Sequence, residues 1–212
     1  NDPRCPHCDG GRCSGACAGE IESLLAPGDV AAVIAEPVRA TTVSPPPPGF
    51  WPRVREACDR TGTLLIFDEI PTGLGRSGRM WVSERVGVTP DLLVIGKGLG
   101  GAVLPQAAVV GRSAFNDGGA TPLTEVAVGH YTHEKSPLGS AAALAVLDVI
   151  EGEGLVERAE RVGSGWEAGL RGGLAGLAAV GEIRRVGLML AVELRDAGGI
   201  RAGEIADRAV YE

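Results

Sequence analysis

The sequence predicts an α/β protein built around a mainly parallel β-sheet. Short apolar runs alternate with stretches of helical periodicity. The runs are apolar throughout, which is typical of strands covered on both faces. Polar residues follow three of the runs, at Glu36, at Asp68-Glu69 and at Lys97. Because ligands bind at the carboxyl ends of parallel strands, these are the first candidates for a functional site.

The elements follow one another in a regular order. The predicted strands are the apolar runs at residues 30–35, 64–67, 92–95 and 106–110. The predicted helices cover residues 20–25, 50–61, 138–151 and most of 154–177. A strand pair at 180–183 and 188–193 flanks Gly187. We place a domain boundary near residue 150: residues 1–150 form part of a large domain, and residues 151–212 form the start of a smaller α/β domain.

Composition excludes several classes of protein. The 212 residues carry 20 Lys and Arg against 27 Asp and Glu, a formal charge of −7, and 44% are apolar. Such a chain is too apolar for disorder and too acidic for binding nucleic acid through its phosphates. No apolar run approaches the roughly 18 residues of a membrane span. The chain has no initiator Met and ends in a helical rhythm, so we expect a piece of a longer protein.

The glycines after the second run form the pattern Gly73-x-Gly75-x-x-Gly78, which matches a dinucleotide-binding fingerprint. We reject that interpretation because Asp68 and Glu69 would repel a pyrophosphate and no helix clearly opens at Gly78. The alternative is a loop that needs positive φ angles at several positions.

Lys97 follows the third run inside a glycine-rich segment. A phosphate-binding P-loop needs Ser or Thr after its Lys, but Gly98 stands there. A single Lys is usually a solvated surface residue. At the end of a buried strand, flanked by glycines, it can instead act as the nucleophile that Schiff-base chemistry requires.

Asp68 stands 29 positions before Lys97, at the end of another predicted strand. A pyridoxal phosphate (PLP) ring withdraws electrons well only while its pyridine nitrogen stays protonated, which a paired carboxylate ensures. The alternative is that Asp68 only caps a turn. The pair Asp68 and Lys97 is more specific for PLP than either residue alone.

These motifs resemble the class III PLP-dependent aminotransferases, a fold-type I group that includes ornithine, 4-aminobutyrate and ω-amino acid transaminases. The segments that carry the resemblance are residues 35–38, 64–78, 96–101 with Pro105, and 137–143 with Thr132 before them. Residues 180–194 resemble the opening of the family's C-terminal domain. The resemblance covers nearly the whole chain from about residue 20.

The resemblance implies a set of roles. Lys97 would form the Schiff base with PLP and move the substrate proton, and Asp68 would pair with the pyridine nitrogen. Ile70 would pack on one face of the ring, and Thr132 would reach the PLP phosphate of the other subunit. Glu36 would support the site without reacting. The implied protein is a cytoplasmic homodimer with sites at its interface, acting on small amines and keto acids.

The chain departs from the family pattern near the implied site. Pro71 replaces a Gln that commonly contacts PLP, residues 39–43 replace a segment with a gating Glu, and Ala102 replaces a common Gly. The segment 130–137 resembles a subgroup that includes PLP lyases of amino-phosphonates or phospho-amines. His133 and Lys135 would hold an anionic group there, or lie on a solvated loop.

Two function classes therefore stay open. The favoured prediction is transfer of an amino group from an amine or ω-amino acid to a keto acid through Lys97, with a PLP lyase or racemase as the alternative. The rival is an inactive remnant or binding protein of the same fold, and we expect the isolated 212 residues to bind PLP poorly.

The amino-terminal cysteines Cys5, Cys8, Cys13 and Cys17 resemble a zinc or iron–sulfur site in spacing. The spacing is not that of a standard finger and the implied chemistry needs no redox metal, so we predict no metal.

Overall fold

The computed structural model describes residues 8–9, 12–115 and 136–211, without the side chains of residues 8, 9, 12, 13, 210 and 211. Thr132 and the neighbouring His133 and Lys135 lie outside this range. A two-stranded ribbon, β1 (Cys8–Asp9) and β2 (Arg12–Cys13), precedes helix α1 (Cys17–Leu25). Within the described ranges, no helix combines the length and the apolar character needed to traverse a membrane.

A four-stranded sheet forms the centre of the first part of the chain. Its strands are β3 (Ala32–Ala35), β4 (Leu64–Asp68), β5 (Leu92–Ile95) and β6 (Ala108–Gly111), hydrogen-bonded in that order. Strand β4 pairs in parallel with both β3 and β5, whereas β6 is antiparallel to β5. The predicted mainly parallel sheet is therefore confirmed.

One face of this sheet is covered by α1 and by α2 (Phe50–Thr61). Leu65 and Phe67 point into the resulting core, where the Phe67 ring packs 4.7 Å from that of Trp51. The indole N–H of Trp51 donates to the Pro37 carbonyl at 2.8 Å. Because side chains alternate along a strand, Asp68 lies on the opposite face from Phe67.

The prediction of strands covered on both faces is wrong for β3 in the described part of the chain. Ile34 is 64% exposed and the burial of β3 alternates. The physical reason is that α1 and α2 pack together on one side of the sheet. An unbroken apolar run marks a strand, but it does not reveal which elements cover it.

The second part of the chain contains α4 (Pro137–Gly152), α5 (Leu155–Gly173), the antiparallel pair β7 (Val180–Val186) and β8 (Met189–Leu194), and α6 (Ala202–Tyr211). The short helix α3 (Val82–Val86), which lies between β4 and β5, contacts this second part through Arg85. Arg185 of β7 pairs with Glu160 of α5 at 2.9 Å, and Glu160 also pairs with Arg85 of α3 at 2.8 Å. The boundary near residue 150 stays a prediction and falls inside α4.

Candidate functional site

Asp68 is the last residue of β4, at the carboxyl edge of the sheet. Its Oδ1 accepts a hydrogen bond from the Ile70 N–H at 3.0 Å, which closes a tight turn directly after the strand. No described donor contacts Oδ2. Asp68 therefore caps its turn with one oxygen, and this use of Oδ1 is compatible with the prediction that the other oxygen binds a cofactor.

Lys97 lies at the same edge. The parallel register places Asp68 opposite Val94 of β5, and Lys97 follows Val94 by three residues. It begins a single 3₁₀ turn, Lys97–Gly100, and its side chain is exposed. Its φ of 49° is a left-handed conformation that costs a residue with a Cβ about 1–2 kcal/mol. The chain thus holds Lys97 in a strained backbone conformation, as is common at functional sites.

Ile70 lies between the two segments. A Cβ placed on Gly96, the residue before Lys97, would lie 3.5 Å from Cγ1 of Ile70. Ile70 therefore packs against the main chain that leads into Lys97. The structure places three of the four residues predicted for the cofactor, Asp68, Ile70 and Lys97, at one edge of the sheet. The fourth, Thr132, lies outside the described residues.

Glu69 was not assigned a role from the sequence, although the structure buries it almost completely at 1% exposure. Its carboxylate accepts the N–H groups of Val82 at 2.6 Å and Ser83 at 2.9 Å, at the start of α3. Burial raises the pKa of Glu69, and these two N–H bonds offset part of that effect. The only signal in the sequence was a second carboxylate beside Asp68, which does not reveal a partner 13 residues away.

Glu36 follows β3 at the same edge of the sheet as Asp68, and its side chain closes the loop after that strand. Its Oε2 accepts the Ala40 N–H at 2.7 Å, and the loop continues to an isolated bridge between Arg39 and Ser44. The Thr42 carbonyl accepts a hydrogen bond from Arg184 of β7 at 3.2 Å. The segment that replaces the family's gating residues is thus fastened to the second part of the chain.

Packing explains the glycines of the rejected fingerprint. A Cβ on Gly73 would lie 2.9 Å from the Trp81 ring, one on Gly75 would lie 3.3 Å from Val156, and one on Gly78 would overlap Glu160. Gly75 and Gly78 also have positive φ angles of 83° and 77°. The loop needs its glycines for close contacts with α3 and α5 and for left-handed backbone.

The predicted absence of a metal at the amino-terminal cysteines is not tested, because Cys5 and the side chains of Cys8 and Cys13 lie outside the described residues. Cys17 is described and is not in a disulfide. Among the side chains that the structure describes, no group of three or more His, Cys, Asp or Glu could hold a metal ion.

Comparisons with known proteins define the class. The aminotransferase class-III family matches residues 6–210. The (R)-1-hydroxy-2-aminoethylphosphonate ammonia-lyase of Vibrio splendidus is 42% identical over 79% of this chain and 34% of its own length. The 5-aminovalerate aminotransferase DavT of Pseudomonas aeruginosa is 38% identical over 87% of this chain and 42% of its own. The solved ornithine aminotransferase of Toxoplasma gondii superposes with a TM-score of 0.77, at 37% identity, over 84% of this chain and 41% of that one.

The fold is that of a fold-type I PLP-dependent transferase. The chain belongs to the class III aminotransferase family, whose cofactor is pyridoxal 5′-phosphate. It spans less than half the length of each of these three relatives.

The described residues fit this cofactor. Oδ2 of Asp68 accepts no described hydrogen bond, the side chain of Lys97 is exposed, and the apolar Ile70 packs beside Gly96. Gly96, Gly98 and Gly100 leave the main chain around Lys97 without side chains that would compete for the same space.

Proposed function

We propose that this chain is part of a PLP-dependent aminotransferase that moves an amino group from an amine or ω-amino acid to a keto acid. The observation that carries the proposal is the parallel register of β4 and β5, which brings Asp68 and Lys97 to one edge of the sheet. When bound, PLP supplies an electron-withdrawing ring that makes the C–H proton beside the nitrogen of the bound amine acidic.

The residues of the chain would divide the work as follows. Lys97 Nζ would hold the cofactor covalently and carry the substrate proton between two carbon atoms. Asp68 Oδ2 would accept the pyridine N–H and keep that nitrogen cationic. Ile70 would pack against one ring face, and Thr132 would hold the phosphate across a subunit interface.

The test uses the intact protein loaded with PLP. Borohydride reduction should fix the cofactor on one lysine and leave a stable absorbance band. The 212-residue sequence contains two lysines, Lys97 and Lys135, so Lys135→Ala, assayed at saturating PLP, tests whether the second lysine carries the cofactor. Lys97→Ala should abolish fixation and Lys135→Ala should retain it. An intact wild-type protein without a fixable chromophore would exclude this function.

A PLP lyase is the second candidate. One observation favours it: the Vibrio splendidus relative, 42% identical, is an ammonia-lyase. Such an enzyme would eliminate ammonia or phosphate from an amino-phosphonate or phospho-amine. Ammonia release without any keto acid indicates the lyase, whereas turnover that requires a keto acid indicates the transaminase.

We also propose a cytoplasmic homodimer. Support comes from the implied role of Thr132 across an interface and from exposed apolar side chains on α4, with Leu138 67% and Leu144 63% exposed. Sedimentation velocity of the intact protein should give the mass of two chains, and cell fractionation should recover it in the cytosol. A monomer that binds PLP fully would contradict the dimer.

A further inference from the structure

Arg76 lies in the glycine loop between β4 and α3, and its side chain reaches back to the candidate site. Its Nη1 donates to the Pro71 carbonyl at 2.8 Å, in the segment that follows Asp68. A Cβ placed on Gly98 would lie 4.0 Å from Nη2 of Arg76 and 3.5 Å from Cδ1 of Leu74. The guanidinium thus bonds to the segment after Asp68 and lies beside the segment after Lys97.

The conformation beside this contact is strained. Lys97 and Leu74 both have left-handed φ angles, 49° and 57°. Residues with a Cβ keep such angles only where their surroundings exclude the alternatives. The Leu74 side chain and the Arg76 guanidinium stand against Gly98, directly beside the strained Lys97.

The main chain of Arg76 is held from the other side. Its carbonyl accepts the Leu188 N–H at 2.9 Å, at the turn between β7 and β8. Gly187 of that turn lies so close that a Cβ there would overlap the main chain of Arg76 and Ser77. The base of the Arg76 side chain is therefore fixed by the second part of the chain.

The charge of Arg76 is not used in an ion pair with any carboxylate that the structure describes, and its described hydrogen-bond acceptor is the Pro71 carbonyl. Arg79, three residues later on the same loop, is also exposed and has no described ion pair. The two arginines differ in that only Arg76 is placed against Gly98. Arg79 is therefore a matched control.

We propose that Arg76 is a positioning residue for Lys97. Its guanidinium and the Leu74 side chain hold the main chain at Gly98, and its carbonyl ties this support to the β7–β8 turn. This inference rests on the proposed function, in which Lys97 carries PLP. Removing the guanidinium should let Lys97 leave its left-handed conformation without unfolding the protein, because the side chain is exposed.

The experiment compares Arg76→Ala, Arg76→Lys and Arg79→Ala in the intact protein. The first readout is amide hydrogen exchange of residues 97–101 in the cofactor-free protein, where the Leu99 and Gly101 N–H groups are hydrogen-bonded within the turn. The second is the dissociation constant of PLP from its absorbance. We expect Arg76→Ala to exchange several-fold faster and to bind PLP about tenfold more weakly. Arg76→Lys should fall between it and the wild type, and Arg79→Ala should match the wild type.

The outcomes separate this inference from the function. Unchanged exchange and PLP affinity in Arg76→Ala would overturn the inference and leave the function standing. A wild type without a fixable chromophore would overturn the function, and exchange in the cofactor-free protein would still decide the inference. If Arg76→Ala does not fold, Arg76→Lys decides, and wild-type exchange in that variant overturns the role of the guanidinium.

Discussion

The backbone N–H of Glu69 donates a 2.9 Å hydrogen bond to the carbonyl of Val94. This bond extends the parallel pairing of β4 and β5 by one residue beyond Asp68. The same residue accepts the N–H groups of Thr72 and Gly73 through its carbonyl and those of Val82 and Ser83 through its carboxylate. Glu69 therefore connects strand β5, the turn after Asp68 and helix α3.

Replacing Glu69 by Ala is expected to lower the free energy of unfolding by about 2 kcal/mol, because the buried Val82 N–H and the half-buried Ser83 N–H lose their acceptor. Glu84 is the control: it accepts the Trp81 N–H at 2.9 Å at the start of the same helix but is exposed. Glu84→Ala should cost about 1 kcal/mol or less. Equal losses in urea unfolding would contradict the role assigned to Glu69.

Glu69 also predicts a pH dependence. Burial raises its pKa above the ordinary value of 4.5. At pH values between 4.5 and the raised pKa of the folded state, the folded protein therefore binds more protons than the unfolded chain. Its stability falls as the pH rises through that window. Glu69→Gln removes this contribution. Urea unfolding from about pH 4 to pH 7 should show wild type losing stability relative to Glu69→Gln, and a constant difference would refute the prediction.

Asp68→Asn separates the two uses of this side chain. The amide oxygen can still accept the Ile70 N–H, while the charge that would face the pyridine nitrogen is lost. We expect unchanged thermal stability of the cofactor-free protein and PLP binding weakened at least about tenfold, since a charge-assisted hydrogen bond contributes about 1.5–3 kcal/mol. Absorbance titration measures this. The control is Asp29→Asn, at an exposed aspartate, and this variant should bind PLP as the wild type does.

Asp91 should stabilise the opposite edge of the sheet. Its Oδ2 accepts the Leu65 N–H and the Arg55 guanidinium, each at 2.7 Å, and Arg112 pairs with Oδ1. Burial alone would raise its pKa, but the Leu65 and Arg55 bonds outweigh it, and the pKa of Asp91 is lowered from 3.8. Asp91→Asn should cost about 3 kcal/mol at neutral pH because Arg55 loses a buried partner.

The matched control for Asp91 is Asp59, which pairs with the same Arg55 from an exposed position, 62% accessible. Asp59→Asn should cost below about 1 kcal/mol. Because the folded pKa of Asp91 is lowered, its contribution is present above about pH 3.8 and is lost as pH falls further. The difference between wild type and Asp91→Asn in denaturant unfolding should shrink over that range. A difference that is independent of pH would refute the assignment.

Ala102→Gly should stabilise the protein. Ala102 is exposed and has a φ of 59°, where glycine is less strained. Relief of strain exceeds the added entropy of the unfolded chain, so we expect a gain of up to about 1 kcal/mol. Exposed Ala31, whose φ is not positive, is the control, and Ala31→Gly should lose about 0.5 kcal/mol. Thermal melting that ranks the two variants in the reverse order would contradict this.

Gly187→Ala should be strongly destabilising. Its φ is 60°, and a Cβ would overlap the main chain of Ser77. We expect a loss of about 3 kcal/mol, from left-handed strain together with overpacking. Gly176 has a φ of 78° with open space around it, so Gly176→Ala should lose only about 1 kcal/mol. Equal losses would show that the β7–β8 turn does not pack against the glycine loop.

The sequence by itself determined the α/β class, the strands that lead to Asp68 and Lys97, and the family. These are local signals: apolar runs of strand length, the residues that follow them, and short motifs with fixed spacing. The bounds of α2 and β5 coincide with their predicted ranges for the same reason.

Only the tertiary structure decided what surrounds these residues. It buries Glu69 against the start of α3, brings Arg76 beside Gly98, and joins the Arg76 carbonyl to Leu188 more than a hundred residues later. It also leaves Ile34 exposed although its run is fully apolar. Contacts between segments distant in sequence depend on how whole elements pack, and no residue carries that information in its immediate neighbours.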